Sequence, residues 1–142
     1  MIKMVYQKIL FTVIFLLTLF SVSYSADWKY YGYTPDGTFY YDKENITYMP
    51  NNIIRVWTKR IYSDAGKDAT IKQHGENFKD IESTSDLVQI NCNEKKYSML
   101  HVTHYTSKGV TIKDIDVTED ESFIPADSII ELLYQIVCEK TK

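Results

Sequence analysis

The sequence predicts an α+β domain: an antiparallel β-sheet with a C-terminal α-helix packed on one face, fixed there by one disulfide. Three observations point to it. Short runs of alternating apolar and polar residues, broken by turn residues, fill most of the chain. Residues 128–139 change to helical periodicity. The only 2 cysteines, Cys92 and Cys138, fall at the end of one alternating run and near the end of that helix.

The first 25 residues are expected to stand outside this domain. Lys3 and Lys8 precede an uncharged run rich in Leu, Phe and Ile, and Ser23 and Ser25 place small residues at the −3 and −1 positions of a cleavage site. That is the pattern of a secretory signal peptide cut after Ser25, leaving residues 26–142 as a single domain. Read as an uncleaved anchor, the apolar run is at the short end for a membrane span. After cleavage no integral membrane segment is expected. With no cysteine behind the apolar run, no lipoprotein anchor is expected either.

Export sets the chemistry of the thiols. Outside the cytosol, two cysteines in a small domain pair by default. The loop between Cys92 and Cys138 is worth roughly 4 kcal/mol in the chain-entropy model, less any strain. Of the 16 Lys and Arg residues, two lie in the leader, so 14 then face 19 Asp and Glu. An acidic chain without a basic cluster disfavours a nucleic-acid partner and docking on anionic lipid.

The elements follow in order. Residues 27–33 (DWKYYGY) form an aromatic first strand. Pro35 and Gly37 mark the turn into a second arm at residues 39–42. Residues 51–62 (NNIIRVWTKRIY) are a long strand, with Ile54 and Val56 facing opposite to Ile53, Arg55 and Trp57. Residues 63–75 open on a capping Ser and close on Gly, which predicts a short helix. In residues 86–92, Val88, Ile90 and Cys92 share one face. Residues 96–106 and 110–117 are two more strands, and residues 118–122 are an acidic loop. Ser128 and Glu131 then form a capping-box pattern before a helix whose apolar arc includes Ile129, Ile130, Leu133, Tyr134 and Val137. An arc that wide needs a sheet face to cover, and Cys138 on its rim can meet the inward-facing Cys92.

Catalytic chemistry is not expected. No G-x-S-x-G frame, glycine-rich phosphate loop or CxxC spacing occurs. His101 and His104 are three apart on a strand, point to opposite faces, and cannot share a metal ion. His74 fits the C-terminal end of the short helix. The acidic run from Asp114 to Glu121 lacks the calcium-loop pattern. Asn45 heads an N-I-T sequon that matters only in a eukaryotic secretory route. No catalytic residue, cofactor or metal ligand is assigned.

What is unusual is aromatic content. Of 12 tyrosines only Tyr6 and Tyr24 lie in the leader, and Trp28 and Trp57 both remain. Tyr and Trp give large contact area with few rotors and a polar tip. The candidate binding surface is therefore Trp28, Tyr30, Tyr31 and Tyr33 with Arg55, Trp57 and Lys59. Strict alternation would put Trp28, Tyr30 and Gly32 on one face, and Tyr31 and Tyr33 on the other.

Taken in order, ADWKYYG, FYYDKENI, IIRVWTKRIYSDAGK, INCNEKKY and IPADSIIELLYQIVCEK resemble the bacterial surface-adhesin protein E family over residues 27–138. Phe123 occupies a slot before Ile-Pro where that family often has Trp. The resemblance implies the same sheet, helix and cysteine pair, a Gram-negative envelope protein in the periplasm or at the cell surface, and adhesion to host matrix or serum proteins. It carries over no ligand-contact residue. The functional expectation is a non-enzymatic, protein-binding envelope module; the alternative is a periplasmic small-ligand binder or enzyme inhibitor on the same scaffold. A homodimer through a free sheet edge is open.

Overall fold

The computed structural model describes residues 25–139. The predicted leader lies outside the described residues apart from Ser25. No helix among the described residues is long and apolar enough to cross a membrane.

Eight strands form one sheet in which every pairing is antiparallel. They are β1 (Trp28–Thr34), β2 (Gly37–Asp42), β3 (Thr47–Met49), β4 (Ile53–Tyr62), β5 (Ile81–Asn91), β6 (Lys96–Thr106), β7 (Thr111–Asp116) and β8 (Ser122–Phe123). The main order is β1-β2-β4-β5-β6-β7, with β3 on the start of β4 and β8 on the start of β6. Helix α1 (Asp64–His74) follows β4. Helix α2 (Ile129–Tyr134) ends the domain and continues as a π-helical turn, Gln135–Glu139. The predicted fold class is the observed one.

The alternating strands settle as their patterns require. Ile54 and Val56 of β4 lie across from Ile90 and Val88 of β5. All four are buried beneath α2, against Leu133 and Val137, both almost fully covered. Cys92 and Cys138 are bonded, with Cα atoms 5.7 Å apart. The Tyr134 hydroxyl donates to the Cys92 carbonyl at 3.3 Å, so bond and helix close the same corner. Leu132, at the other rim of the arc, is 42% exposed beside Gly32. A second apolar cluster, Tyr62, Phe78 and Ile81, lies with Ile71 of α1 and Ile112 of β7.

The caps form as their residues predict, with one variation. Ser63 accepts the Gly66 amide at 3.1 Å, and Gly75 ends α1 at φ 93° with its amide on the Ile71 carbonyl. Ser128 accepts the Glu131 amide at 3.2 Å, but the Glu131 carboxylate takes the Asp127 amide and the Lys95 ammonium. Gly66 also permits a close approach. A Cβ there would stand 1.9 Å from the Asp36 carbonyl oxygen, so α1 rests on the Pro35-Asp36 turn.

Two expectations need correction. β5 begins at Ile81 rather than Asp86: after the buried Ile81 its first half is polar, and the buried residues that follow are Ser83 and Thr84. β1 carries a β-bulge between Tyr30 and Gly32. One extra residue in the strand inverts the alternation beyond it, so Tyr31 and Gly32 both turn toward the covered face while Tyr33 returns to the face of Trp28. Phe123, in the slot where the family often has Trp, is 74% exposed, with the Lys96 ammonium 5.2 Å from its ring.

Candidate functional site

With both helices on one face of the sheet, alternate residues of the same strands line the other. β4 supplies Arg55, Trp57, Lys59 and Ile61; β5 supplies Ser83, Ser85, Leu87 and Gln89; β6 supplies His101, Thr103 and Tyr105. The register aligns them in cross-strand rows. Trp57 faces Leu87, Leu87 faces His101 and His101 faces Asp116. One pair along, Tyr30, Tyr40, Lys59, Ser85, Thr103 and Asp114 form a second row.

Two hollows open on this face and share Trp28, Ser85 and Tyr105 as lining. The larger, about 810 Å³, is bounded by Arg55, Trp57 and Leu87 below and by residues 42–47 at its side. The smaller, about 390 Å³, runs past Lys59 and Ile61 toward the β6–β7 turn. The side wall is held by Asp42, which is buried. Its Oδ1 accepts the amides of Asp27 and Glu44, and its Oδ2 accepts the Asn45 side-chain amide at 2.6 Å. An Asx-type turn of this kind fixes a loop without secondary structure.

The charges on the floor are held. Arg55 Nε donates to Gln89 Oε1 at 2.9 Å. The Lys59 ammonium lies 5.8 Å from the centre of the Trp28 ring, a cation–π arrangement. His101 meets Trp57 edge-on at 5.9 Å between centroids. Its Nδ1 is 2.7 Å from Asp116 Oδ1 and its Nε2 2.8 Å from Asp114 Oδ1. Both ring nitrogens therefore serve as donors, which only the imidazolium allows. The hydrogen bond with Asp116 above all raises the His101 pKa, and Asp114, bonded first to Thr103 and then to His101, is held below its usual value.

Of the residues singled out in sequence, Trp28, Tyr30, Arg55, Trp57 and Lys59 come together on this face. Tyr33 stands at its end opposite Thr38 and is 76% exposed. Tyr31 does not join them. It packs on the covered face against Phe39 and Tyr41, where burial pushes its phenol pKa up. Leu87, Tyr105, His101 and the Asp42 wall belong to the face but were not predicted. Leu87 carried a signal, since it alternates with Val88 and Ile90; the others become neighbours only through strand pairing. His101 and His104 do lie on opposite faces, and no group of three or more His, Cys, Asp or Glu among the described residues is placed to hold a metal ion.

This face presents aromatic area, the cations Arg55 and Lys59 and a row of hydroxyls, of which Thr103 Oγ1 lies 3.2 Å from His101 Nε2. Residues 28–139 match the sequence model of surface-adhesin protein E. Neither a curated protein nor a solved structure matches the chain.

Proposed function

This chain belongs to the surface-adhesin protein E family, and from that premise we propose that it is an exported, non-enzymatic binding protein whose open sheet face receives a protein partner. The observation that carries the reading is the asymmetry of the sheet. One face is closed by a disulfide-tethered helix, and the other holds Trp28, Trp57, Arg55 and Lys59 along two adjoining hollows. Trp and Arg, here Trp28, Trp57 and Arg55, are among the residue types that dominate protein interfaces. By family, the partners to try first are host matrix and serum proteins. The proposal includes removal of residues 1–25 and residence in a Gram-negative envelope, at the periplasmic or outer side.

The test uses residues 26–142 in surface plasmon resonance against immobilised host matrix and serum proteins. Trp57→Ala is expected to weaken a positive interaction by about tenfold or more, as a central anchor does. Undiminished binding by the double variant Trp28→Ala/Trp57→Ala would overturn the assignment of this face. Protease shaving of intact cells separates the two locations: cleavage only after outer-membrane disruption places the protein inside and removes adhesion.

A second reading, a periplasmic small-ligand binder, is favoured by the larger hollow, whose volume of about 810 Å³ suits a drug-sized molecule. Saturable quenching of tryptophan fluorescence by a small-molecule extract, with no protein partner found, would select it.

A further inference from the structure

The covered face is not uniformly apolar. Beyond the cluster under α2 it carries a row of basic residues that no apolar packing requires. Arg60 faces Thr84, Thr84 faces His104, and His104 faces Lys113 across three adjacent strand pairs. α1 lies over this end of the sheet and adds His74. Like charges set close together on one sheet face repel, and His104 feels His74, Arg60 and Lys113 together, in addition to its desolvation.

Between α1 and the sheet lies a cavity of about 130 Å³, whose lining includes Arg60, Tyr62, Gln73, His74 and His104. That is room for a few water molecules or one small polyatomic ion. Arg60 Nε is buried and has no acceptor among the described residues. The rest of the row is joined by hydrogen bonds. Arg60 Nη2 donates to the Tyr62 hydroxyl at 2.6 Å. The Tyr62 hydroxyl and Thr84 Oγ1 share a hydrogen bond of 2.9 Å, and Thr84 Oγ1 and His104 Nδ1 share one of 3.0 Å. The cavity wall holds donors from Arg60, His104 and Gln73. Two carboxylates bear on it: Asp36, on the turn beneath α1, is part of the lining, and Asp86 lies one pair along the strand from Thr84.

We propose that this cavity binds a small tetrahedral oxyanion, sulfate or phosphate or the terminal group of a phosphate monoester, held by Arg60, His104 and His74. The site lies on the opposite face of the sheet from the groove and is independent of the partner reading. An anion there balances the Arg60 guanidinium, one of the cavity's lining groups, and relieves the repulsion along the row. By linkage, it raises the pKa of His104.

The experiment is an NMR titration of the histidine rings in residues 26–142 with sodium sulfate at constant ionic strength. His101, on the far face, is the internal control. The expected result is a saturable shift at His74 and His104, none at His101, and a higher His104 pKa at saturation. Arg60→Met should weaken sulfate binding by about tenfold, as loss of a charge-assisted bond does. Because Arg60 also supports Tyr62, His74→Gln, an exposed helix-end change, is the second variant and should weaken binding by a few-fold. Glycerol 1-phosphate locates the source: binding equal to inorganic phosphate identifies a monoester terminus, and binding of the free anions alone identifies an inorganic ion. Non-saturable shifts shared by all three histidines, or unchanged affinity in both variants, would overturn the proposal.

Discussion

On β4, Ile54 and Val56 disappear beneath α2 while Arg55, Trp57 and Lys59, interleaved with them, stand on the open face. The two faces share one backbone and one hydrogen-bond ladder, yet they are built on different terms. The covered face gains stability from apolar area removed from water and from a helix that cannot leave. The open face leaves two indoles half-covered and two cations on its floor, an arrangement whose use lies in what it can still bury. Residues adjacent in sequence thus have separable effects: one changes whether the domain folds, the next what it holds.

The sharpest way to break that separation is through the staple. Replacing both Cys92 and Cys138 by Ser is expected to cost about 4 kcal/mol in urea unfolding, the loop-entropy value for this separation. A loss near zero would mean that α2 holds its position by packing alone. Next is Leu133→Ala, at a fully buried position, expected to cost about 3 kcal/mol. Its counterpart Trp57→Ala should cost under about 1 kcal/mol, since a half-covered surface side chain leaves no core cavity. Equal losses in the two variants, measured by denaturant midpoint, would show that the open face is structural after all.

Within the covered face, Asp86 marks the limit of its apolar character. It lies between the α2 cluster and the basic row, and burial raises its pKa to about 6 against a weaker opposing pull from Arg60. A carboxyl raised in the fold disfavours its own ionised form, so its penalty is fully present above pH 6. The penalty is relieved as pH falls from 6 toward 4, where the native state takes up the proton before the unfolded chain does. Asp86→Asn should therefore stabilise by about 2 kcal/mol at pH 7.5 and lose that advantage near pH 4. The thermal midpoints of the two proteins at those pH values measure it.

Much of the covered face was legible because hydrophobic alternation and helix caps are local signals. Val56, Val88 and Ile90 declare their side, Ser63, Gly75 and Ser128 mark helix ends, and export pairs the cysteines. What escaped depends on a count that the sequence does not display. The extra residue at the β1 bulge brought Tyr33 back to the face of Trp28, against simple alternation. The polar half of β5 hid a strand because its partners, Tyr62 and His104, make a buried Thr84 acceptable. The open face was readable from β1 and β4, where Trp and basic residues are close in sequence. Its His101, Asp114 and Asp116 were visible only as separate charges until β6 and β7 paired.

That histidine gives the smallest effect and the most specific check on the open face. His101 donates to two carboxylates, so its folded pKa lies above the unfolded value near 6.5. The stabilisation it provides is complete below that unfolded value and disappears as pH rises through the folded one. Above it, neutral His101 can donate from only one nitrogen, and Asp114 and Asp116 face each other with less positive charge between them. His101→Gln should therefore lower the thermal midpoint at pH 5.5 and change it little at pH 8.5. The sign is opposite to that for Asp86, whose replacement matters at the alkaline end. A His101→Gln effect that grew with pH would show that the ring serves as a neutral packing partner of Trp57, and the ionic edge of the groove would have to be redrawn.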